Sequence, residues 1–254
     1  MPEMKSPVYG EVLSNTEIKP GIFDIKVYAP EVSAGYAPGM FVGVYIDDNR
    51  HILPRPFGIC ESFPEEGAFG VVYAVVGEGT ESISKWGRGK TARMLGPLGN
   101  GFSIGDESNV LIVGGGLGVP PLLGLAGRIR GNNPKTRVTA SLGFKNIDKV
   151  ILFDEFAAHC NETVVATEDG GFGAKGFATD YMEGRVPDVI YACGPYGMLK
   201  AVADYAGKHG ILCQVSMEER MACGIGACLC CVVSGKRVCR DGPVFDSSRV
   251  DWDG

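Results

Sequence analysis

Met221–Cys239 reads MACGIGACLCCVVSGKRVC, and four of its cysteines, Cys223, Cys228, Cys231 and Cys239, are separated by four, two and seven residues. A C-x4-C-x2-C…C rhythm is the ligand spacing of a plant-type [2Fe-2S] cluster. Three thiolates wrap one loop around such a cluster, and the fourth closes the cage from a following segment. Gly224 and Gly226 let the loop backbone approach the sulfurs and aim N–H groups at them. A cluster of this kind passes single electrons. Four cysteines also build structural zinc sites, but those usually combine two well-separated C-x2-C knuckles, and only one pair here has that gap.

Working outward, the chain has nine cysteines, an odd number, which argues against a disulfide framework. The opening MPEMKSPVYGEV has no apolar segment of the kind a secretory leader needs. Both features fit a reducing cytoplasm. The 254 residues suffice for two ordinary domains and a small appendage. The net charge of −6 argues against a general nucleic-acid binder. No apolar run reaches the ~18 residues that span a bilayer. Glycine is the compositional outlier, with 38 residues. Many sit in clusters at the ends of apolar runs, where phosphate-cradling turns lie.

The pattern predicts a multi-domain α+β chain. Residues 1–104 read as an antiparallel β-barrel, from short runs such as Val8–Leu13, Ile22–Tyr28 and Phe41–Ile46 separated by turn signals. GPLGNGF (Gly96–Phe102) reads as its terminal turn. Residues 105–210 read as an α/β domain with a parallel sheet. Its expected strands are Val110–Val113, Val138–Leu142, Glu162–Thr167 and Val189–Ala192, and its helices include Phe153–Cys160 and Tyr196–His209. Residues 211–254 read as a small cluster domain, with Cys213 opening the cysteine-rich tail.

Two candidate ligand sites lie in the first two parts. In Leu53–Ile59, LPRPFGI, Arg55 before Pro56 is held extended and offers a planar guanidinium to a phosphate. An Arg-Pro pair is also a common edge-strand feature. Further on, Val72, Tyr73 and Ala74 precede VGEGT. Tyr73 offers a ring to stack on an isoalloxazine, and Gly79 and Thr80 offer an N–H and a hydroxyl to a pyrophosphate. The second site is GGGLGVPP from Gly114, after an apolar strand and before a helix. Gly115, Gly116 and Gly118 suit a diphosphate on free helix N–H groups. The spacing is not G-x-G-x-x-G, so a simple Rossmann reading fails. A second strand of that domain ends at Cys193, Gly194 and Pro195. The Asp169-Gly170-Gly171 loop has no arginine cluster for a 2′-phosphate, which favours NAD over NADP. His51, His159 and His209 form no metal-ligand spacing.

Together these motifs resemble the electron-transfer subunit family of dihydroorotate dehydrogenase B, within the ferredoxin-reductase-like superfamily. RPFG, VYA, GEGT, GPLGNGF, GGGLGVPPL, ACGIGACLCCVV and KRVCRDGPVF carry the likeness along nearly the whole chain. The resemblance implies FAD held by Arg55, Pro56, Phe57, Gly58, Val72, Tyr73, Ala74, Gly79 and Thr80. It implies NAD at Gly115, Gly116, Gly118, Cys193, Gly194 and Pro195, and a [2Fe-2S] cluster on the four spaced cysteines, with Cys230 a spectator. Two residues depart from the pattern: Gly58 stands in place of a serine, and Ala74 stands where the superfamily often has an arginine.

The implied activity is transfer of electrons between NAD+ and an FMN-containing dihydroorotate dehydrogenase catalytic subunit, in pyrimidine biosynthesis, as a heterotetramer of two of each chain. A subunit of a related NAD(P)H-dependent ferredoxin or sulfide oxidoreductase is the neighbouring reading. A zinc-binding interaction module is the reading of another class. No catalytic side-chain constellation stands out, as expected where cofactors carry the chemistry.

Overall fold

The computed structural model describes residues 6–48 and 50–253. Met1–Lys5, which entered the argument against a leader, lie outside the described residues. The chain divides into two compact units. One runs up to Gly101 and includes Glu219–Pro243; the other comprises Phe102–Glu218 and the described residues from Val244 onward.

The first unit is built on β1 (Val8–Lys19), β2 (Ile22–Tyr28), α1 (Pro30–Ala34), β3 (Phe41–Val44), β4 (Arg55–Gly58), β5 (Glu61–Phe63), β6 (Ala68–Ala74), α2 (Glu78–Ser84) and β7 (Thr91–Leu98). Its strands form one antiparallel seven-stranded sheet in the order β4-β3-β7-β1-β2-β6-β5, the barrel the turn-rich sequence implies. Period-two alternation puts Val12, Ile25, Val27, Val42, Phe69, Val71, Tyr73 and Met94 in one core. Gly96 and Pro97, expected in a terminal turn, are still in β7, and the chain turns at Gly99, whose φ of 77° needs no β-carbon.

The second unit follows the alternating strand–helix grammar. Its elements are β8 (Asn109–Gly115), α3 (Pro120–Asn132), β9 (Arg137–Phe144), α4 (Phe153–His159), β10 (Glu162–Thr167), β11 (Ala174–Lys175), β12 (Val189–Cys193), α5 (Tyr196–His209) and β13 (Leu212–Ser216). Pro120, read as punctuation, opens α3, where its missing N–H costs nothing. The strands run parallel in the order β11-β10-β9-β8-β12-β13. Cys213, expected to open the cluster tail, is buried in β13, and the boundary drawn at 211 falls just before that strand.

The remaining short elements are β14 (Val232–Val233), β15 (Lys236–Arg237) and α6 (Val238–Asp241), which sit in the first unit, and β16 (Val244–Asp246). β16 adds to β13 antiparallel, completing the second unit's sheet at seven strands. The segment 211–254 is therefore shared between the units, with the cysteine loop in the barrel's.

Candidate functional site

The cysteine loop comes first because its donors are most specific. Cys223 Sγ lies 3.3 Å from Cys228 Sγ, and the Cys231 thiol lies close enough to Cys239 to raise its pKa. The four thiols thus form two pairs. A [2Fe-2S] cluster shares four thiolates between two irons, two to each, whereas zinc needs all four around one centre. Among the described residues no three His, Cys, Asp or Glu side chains are grouped to hold a single metal ion. The pairing matches the two-to-each sharing of four thiolates in a [2Fe-2S] cluster.

The backbone agrees. Gly224 and Gly226 have φ of 69° and 77°. These left-handed turns let Gly226 N–H donate to Cys239 Sγ at 3.2 Å and Cys228 N–H to Cys223 Sγ at 3.4 Å. Burial raises the Cys223 thiol, but the N–H groups of Cys228, Ile225 and Ala227 more than offset that and bring it to about 6. Burial, with the neighbouring Cys231, pushes Cys239 up to about 12. Cys230 is exposed, and its Sγ is turned to the Arg220 carbonyl at 3.4 Å, away from the pairs.

On the barrel, β4 and the start of α2 come together. Arg55 Nη1 donates to Leu53 O at 2.6 Å, and the guanidinium lies over Gly79. Arg55 and Gly79, read separately from the sequence, thus form one cationic patch with an open backbone beneath. Pro56 sits in β4, at the end of the sheet order, where a residue without an N–H is tolerated. Phe57 packs at 5.5 Å from Tyr73, and Gly58 pairs with Phe41.

Two expectations are corrected here. Tyr73 does not present its ring to a ligand. It is only 2% exposed, stacks on Phe23 at 5.7 Å, and donates its hydroxyl to Asn15 Oδ1 at 3.1 Å. Alternation along β6 turns Phe69, Val71 and Tyr73 inward and leaves Val72 and Ala74 on the outer face. Thr80 does not hold its hydroxyl free for a phosphate either. Its Oγ1 accepts from Val76 N–H at 2.9 Å and donates to Gly77 O at 3.1 Å, closing the turn into α2.

In the second unit, the glycine turn after β8 meets the turn after β12. A β-carbon on Gly118 would run into the Cys193 carbonyl and stand 2.5 Å from Gly194 N. One on Gly115 would stand 2.7 Å from Met198 Sδ. Neither position admits a larger residue, so both glycines serve close packing of the two turns as well as an open approach. Beside them opens a cavity of ≈ 540 Å³, lined by Gly115, Gly116, Lys145, Glu168, Phe177 and Pro195 among others. That volume suits a coenzyme-sized ligand. It opens where β8, β9, β10 and β12 end, the usual crevice of an open parallel sheet. Cys193 is only 2% exposed, and burial pushes its thiol up to about 12, so the thiol stays protonated at the end of β12. Lys145, Glu168 and Phe177 were missed by motif reading. Their positions just beyond strand ends were the available signal.

The comparisons with known proteins agree with this geometry. Residues 218–251 match the family model described as the iron-sulfur cluster binding domain of dihydroorotate dehydrogenase B. The chain is 40% identical to the dihydroorotate dehydrogenase B (NAD(+)) electron transfer subunit of Fusobacterium nucleatum, over 94% of this chain and 96% of that protein. It is 38% identical to the corresponding subunit of Caldanaerobacter subterraneus, over 97% and 99%. Among solved structures it is similar to one described as the NADH-dependent reduced ferredoxin-NADP oxidoreductase, with a TM-score of 0.85 and 32% identity over 96% of this chain and 90% of that one.

Proposed function

The chain belongs to the family of dihydroorotate dehydrogenase B (NAD+) electron-transfer subunits, and on that premise we propose that it relays electrons between NAD+ and an FMN-containing catalytic subunit that oxidises dihydroorotate. The observation that carries this reading is the pairing of four thiols in a glycine loop whose N–H groups donate to the sulfurs. When bound, FAD supplies the exchange between hydride and single electrons, and a [2Fe-2S] cluster supplies one-electron transfer. The chain supplies the holding groups. Arg55 offers a cation to an anionic diphosphate, and Gly79 keeps the ground below it clear. Gly115 and Gly116 open the turn before α3 on the wall of the cavity, where the absence of side chains leaves room for a second diphosphate to approach the backbone. Cys223, Cys228, Cys231 and Cys239 hold the irons. These roles define three cofactor-bearing parts: barrel, α/β sheet and cysteine loop.

Glu168 lines the coenzyme cavity beside Lys145, and a carboxylate there disfavours a 2′-phosphate, which favours NAD over NADP. Near the cysteine loop, Ile225 is 50% exposed and Leu229 75% exposed, an apolar surface suited to the partner subunit in a two-plus-two heterotetramer. Nine free thiols fit a reducing cytoplasm. No described helix is long and apolar enough to cross a membrane.

The test is reconstitution. The chain alone should reduce artificial acceptors with NADH and show no dihydroorotate oxidation. Adding the FMN subunit should produce dihydroorotate-dependent NAD+ reduction. Changing Ile225 or Leu229 to a charged residue should weaken that coupling before it affects dye reduction. Dihydroorotate turnover by this chain alone would end the reading. Reduction of ferredoxin in place of coupling to the FMN subunit would favour the second reading, which the likeness to the NADH-dependent ferredoxin-NADP oxidoreductase raises.

A further inference from the structure

KRVCRD, Lys236–Asp241, does more than deliver the fourth cysteine. Arg237 Nη1 donates to Gly226 O at 2.9 Å, so a side chain from the closing segment reaches back to the first limb of the cysteine loop. The other end of the same guanidinium is fixed. Arg237 Nε lies 3.4 Å from Asp241 Oδ2, which also accepts from Arg237 N–H at 2.9 Å. Gly226 is the residue whose own N–H donates to Cys239 Sγ. From another side, the Arg240 stem closes on Gly226, since a β-carbon there would stand 2.7 Å from Arg240 Cδ. Arg240 is itself held by Asn100, whose Nδ2 donates to the Arg240 carbonyl at 3.0 Å.

We propose that Arg237 and Asp241 form a clamp that positions the cysteine loop, holding Gly226 so that its N–H stays on the Cys239 sulfur and the cluster keeps both its iron and its potential. This rests on the cluster reading given above. The reasoning is local. Gly226 sits at positive φ in a loop with no ladder of its own, so its peptide orientation needs an outside anchor. A guanidinium provides one because its planar fork binds two partners at once. An N–H donated to a thiolate sulfur stabilises the more negative, reduced state of the centre, so losing it lowers the potential. Arg237 is thus a positioning residue: it acts on the cluster through Gly226, not by touching it.

A clamp and a simple charge effect differ in sign. Arg237→Met removes a positive charge and Asp241→Ala removes a negative one. If charge governs, the two variants move the midpoint potential in opposite directions. If the clamp governs, both move it in the negative direction. Both should also release iron to a chelator faster, by roughly tenfold, as expected for loss of one charge-assisted hydrogen bond. The measurements are iron and sulfide content, the rate of iron loss, and an anaerobic titration followed by electron paramagnetic resonance, on the full chain with its flavin. Flavin content reports whether each variant is folded. Arg237→Lys keeps the charge with a single-ended donor and serves if either variant fails to fold; it too should shed iron faster than the parent protein. Opposite shifts, or potentials and iron loss unmoved in folded variants, overturn the clamp. A parent protein purified and reconstituted without any iron would instead overturn the cluster reading itself.

Discussion

The Arg55 guanidinium lies over Gly79, so closely that a β-carbon on Gly79 would stand 2.6 Å from Arg55 Nε. Gly79 is in the first turn of α2, where alanine is the better helix former by roughly 1 kcal/mol. The group in the way is the end of a flexible side chain, so it swings aside at little cost. Gly79→Ala should therefore leave Tm unchanged or slightly raised while loosening flavin retention, because the cation no longer rests in place. Arg55→Ala should go further, with a roughly tenfold loss of FAD affinity. Tm and the flavin-to-protein ratio after gel filtration measure the two effects separately. Full flavin occupancy in both variants would refute the assignment of this patch.

Thr80 should behave in the opposite way. Its hydroxyl is committed to Val76 and Gly77. Thr80→Val should destabilise the first unit by about 1 kcal/mol and leave flavin affinity nearly unchanged once the protein is folded. Denaturant unfolding and flavin titration on the same preparation check this. A large affinity loss at unchanged stability would restore the phosphate role read from the sequence.

The contrast between Arg55 and Thr80 shows how far the sequence could be read. Elements bounded by strong local signals were legible to the residue. Glu162–Thr167 is a strand as expected, and Tyr196–His209 is a helix closed by Gly210 at φ 65°. The cysteine rhythm was legible because ligand spacing is imposed by the cluster and not by packing. Side-chain direction was not read. A motif-based reading makes Tyr73 a ligand platform, yet Phe69, Val71 and Tyr73 alternate toward the core, a period-two signal already present in AFGVVYA. The return of Val244–Asp246 to β13 had no local signature, since three residues carry no readable period and their partner lies across the cysteine loop. Arg237 was invisible for the same reason: its partner Gly226 is set by how the loop folds.

Coenzyme choice should hinge on Glu168, which lines the cavity of the second unit together with Lys145. A 2′-phosphate brought near a carboxylate meets like-charge repulsion. Glu168→Gln should narrow the preference for NADH over NADPH by about tenfold, mostly by improving NADPH. Steady-state dye reduction with each coenzyme measures it. An unchanged ratio would mean that the adenosine end of the coenzyme lies away from this wall.

The second unit should carry an acid-labile contribution from Glu162. Arg185 grips this carboxylate with Nη2 at 2.6 Å and Nη1 at 3.0 Å, and that hydrogen bonding holds its pKa below the ordinary value of 4.5. A carboxyl whose folded pKa is depressed adds stability above its unfolded pKa, and the contribution fades as pH falls through the lower, folded value. Glu162→Gln should thus lower Tm at neutral pH, and the gap from the parent protein should close in acid below the ordinary carboxylate pKa. Thermal unfolding across that range checks it. A gap independent of pH would show that the loss is one of shape and not of charge.

The cysteines give the sharpest prediction, because five of them crowd one loop and only four fall into pairs. Cys230 is exposed and faces the Arg220 carbonyl, while its neighbour Cys231 is buried beside the Cys239 thiol. The two adjacent residues sit in the turn that leads into β14, and their sulfurs already part there, one to the Arg220 carbonyl and the other to Cys239. Cys230→Ser should leave iron, sulfide and the visible spectrum intact. Serine at Cys223, Cys228, Cys231 or Cys239 should lower iron content or change the spectrum, because a hard alkoxide replaces a soft thiolate. The loss should be felt within pairs: after Cys223→Ser the exposed partner thiol is Cys228, and after Cys239→Ser it is Cys231. Alkylation of the purified variants with a thiol reagent, followed by mass spectrometry, reads which cysteine becomes reactive. Loss of the cluster in Cys230→Ser, or labelling that ignores the pairing, would overturn the ligand assignment.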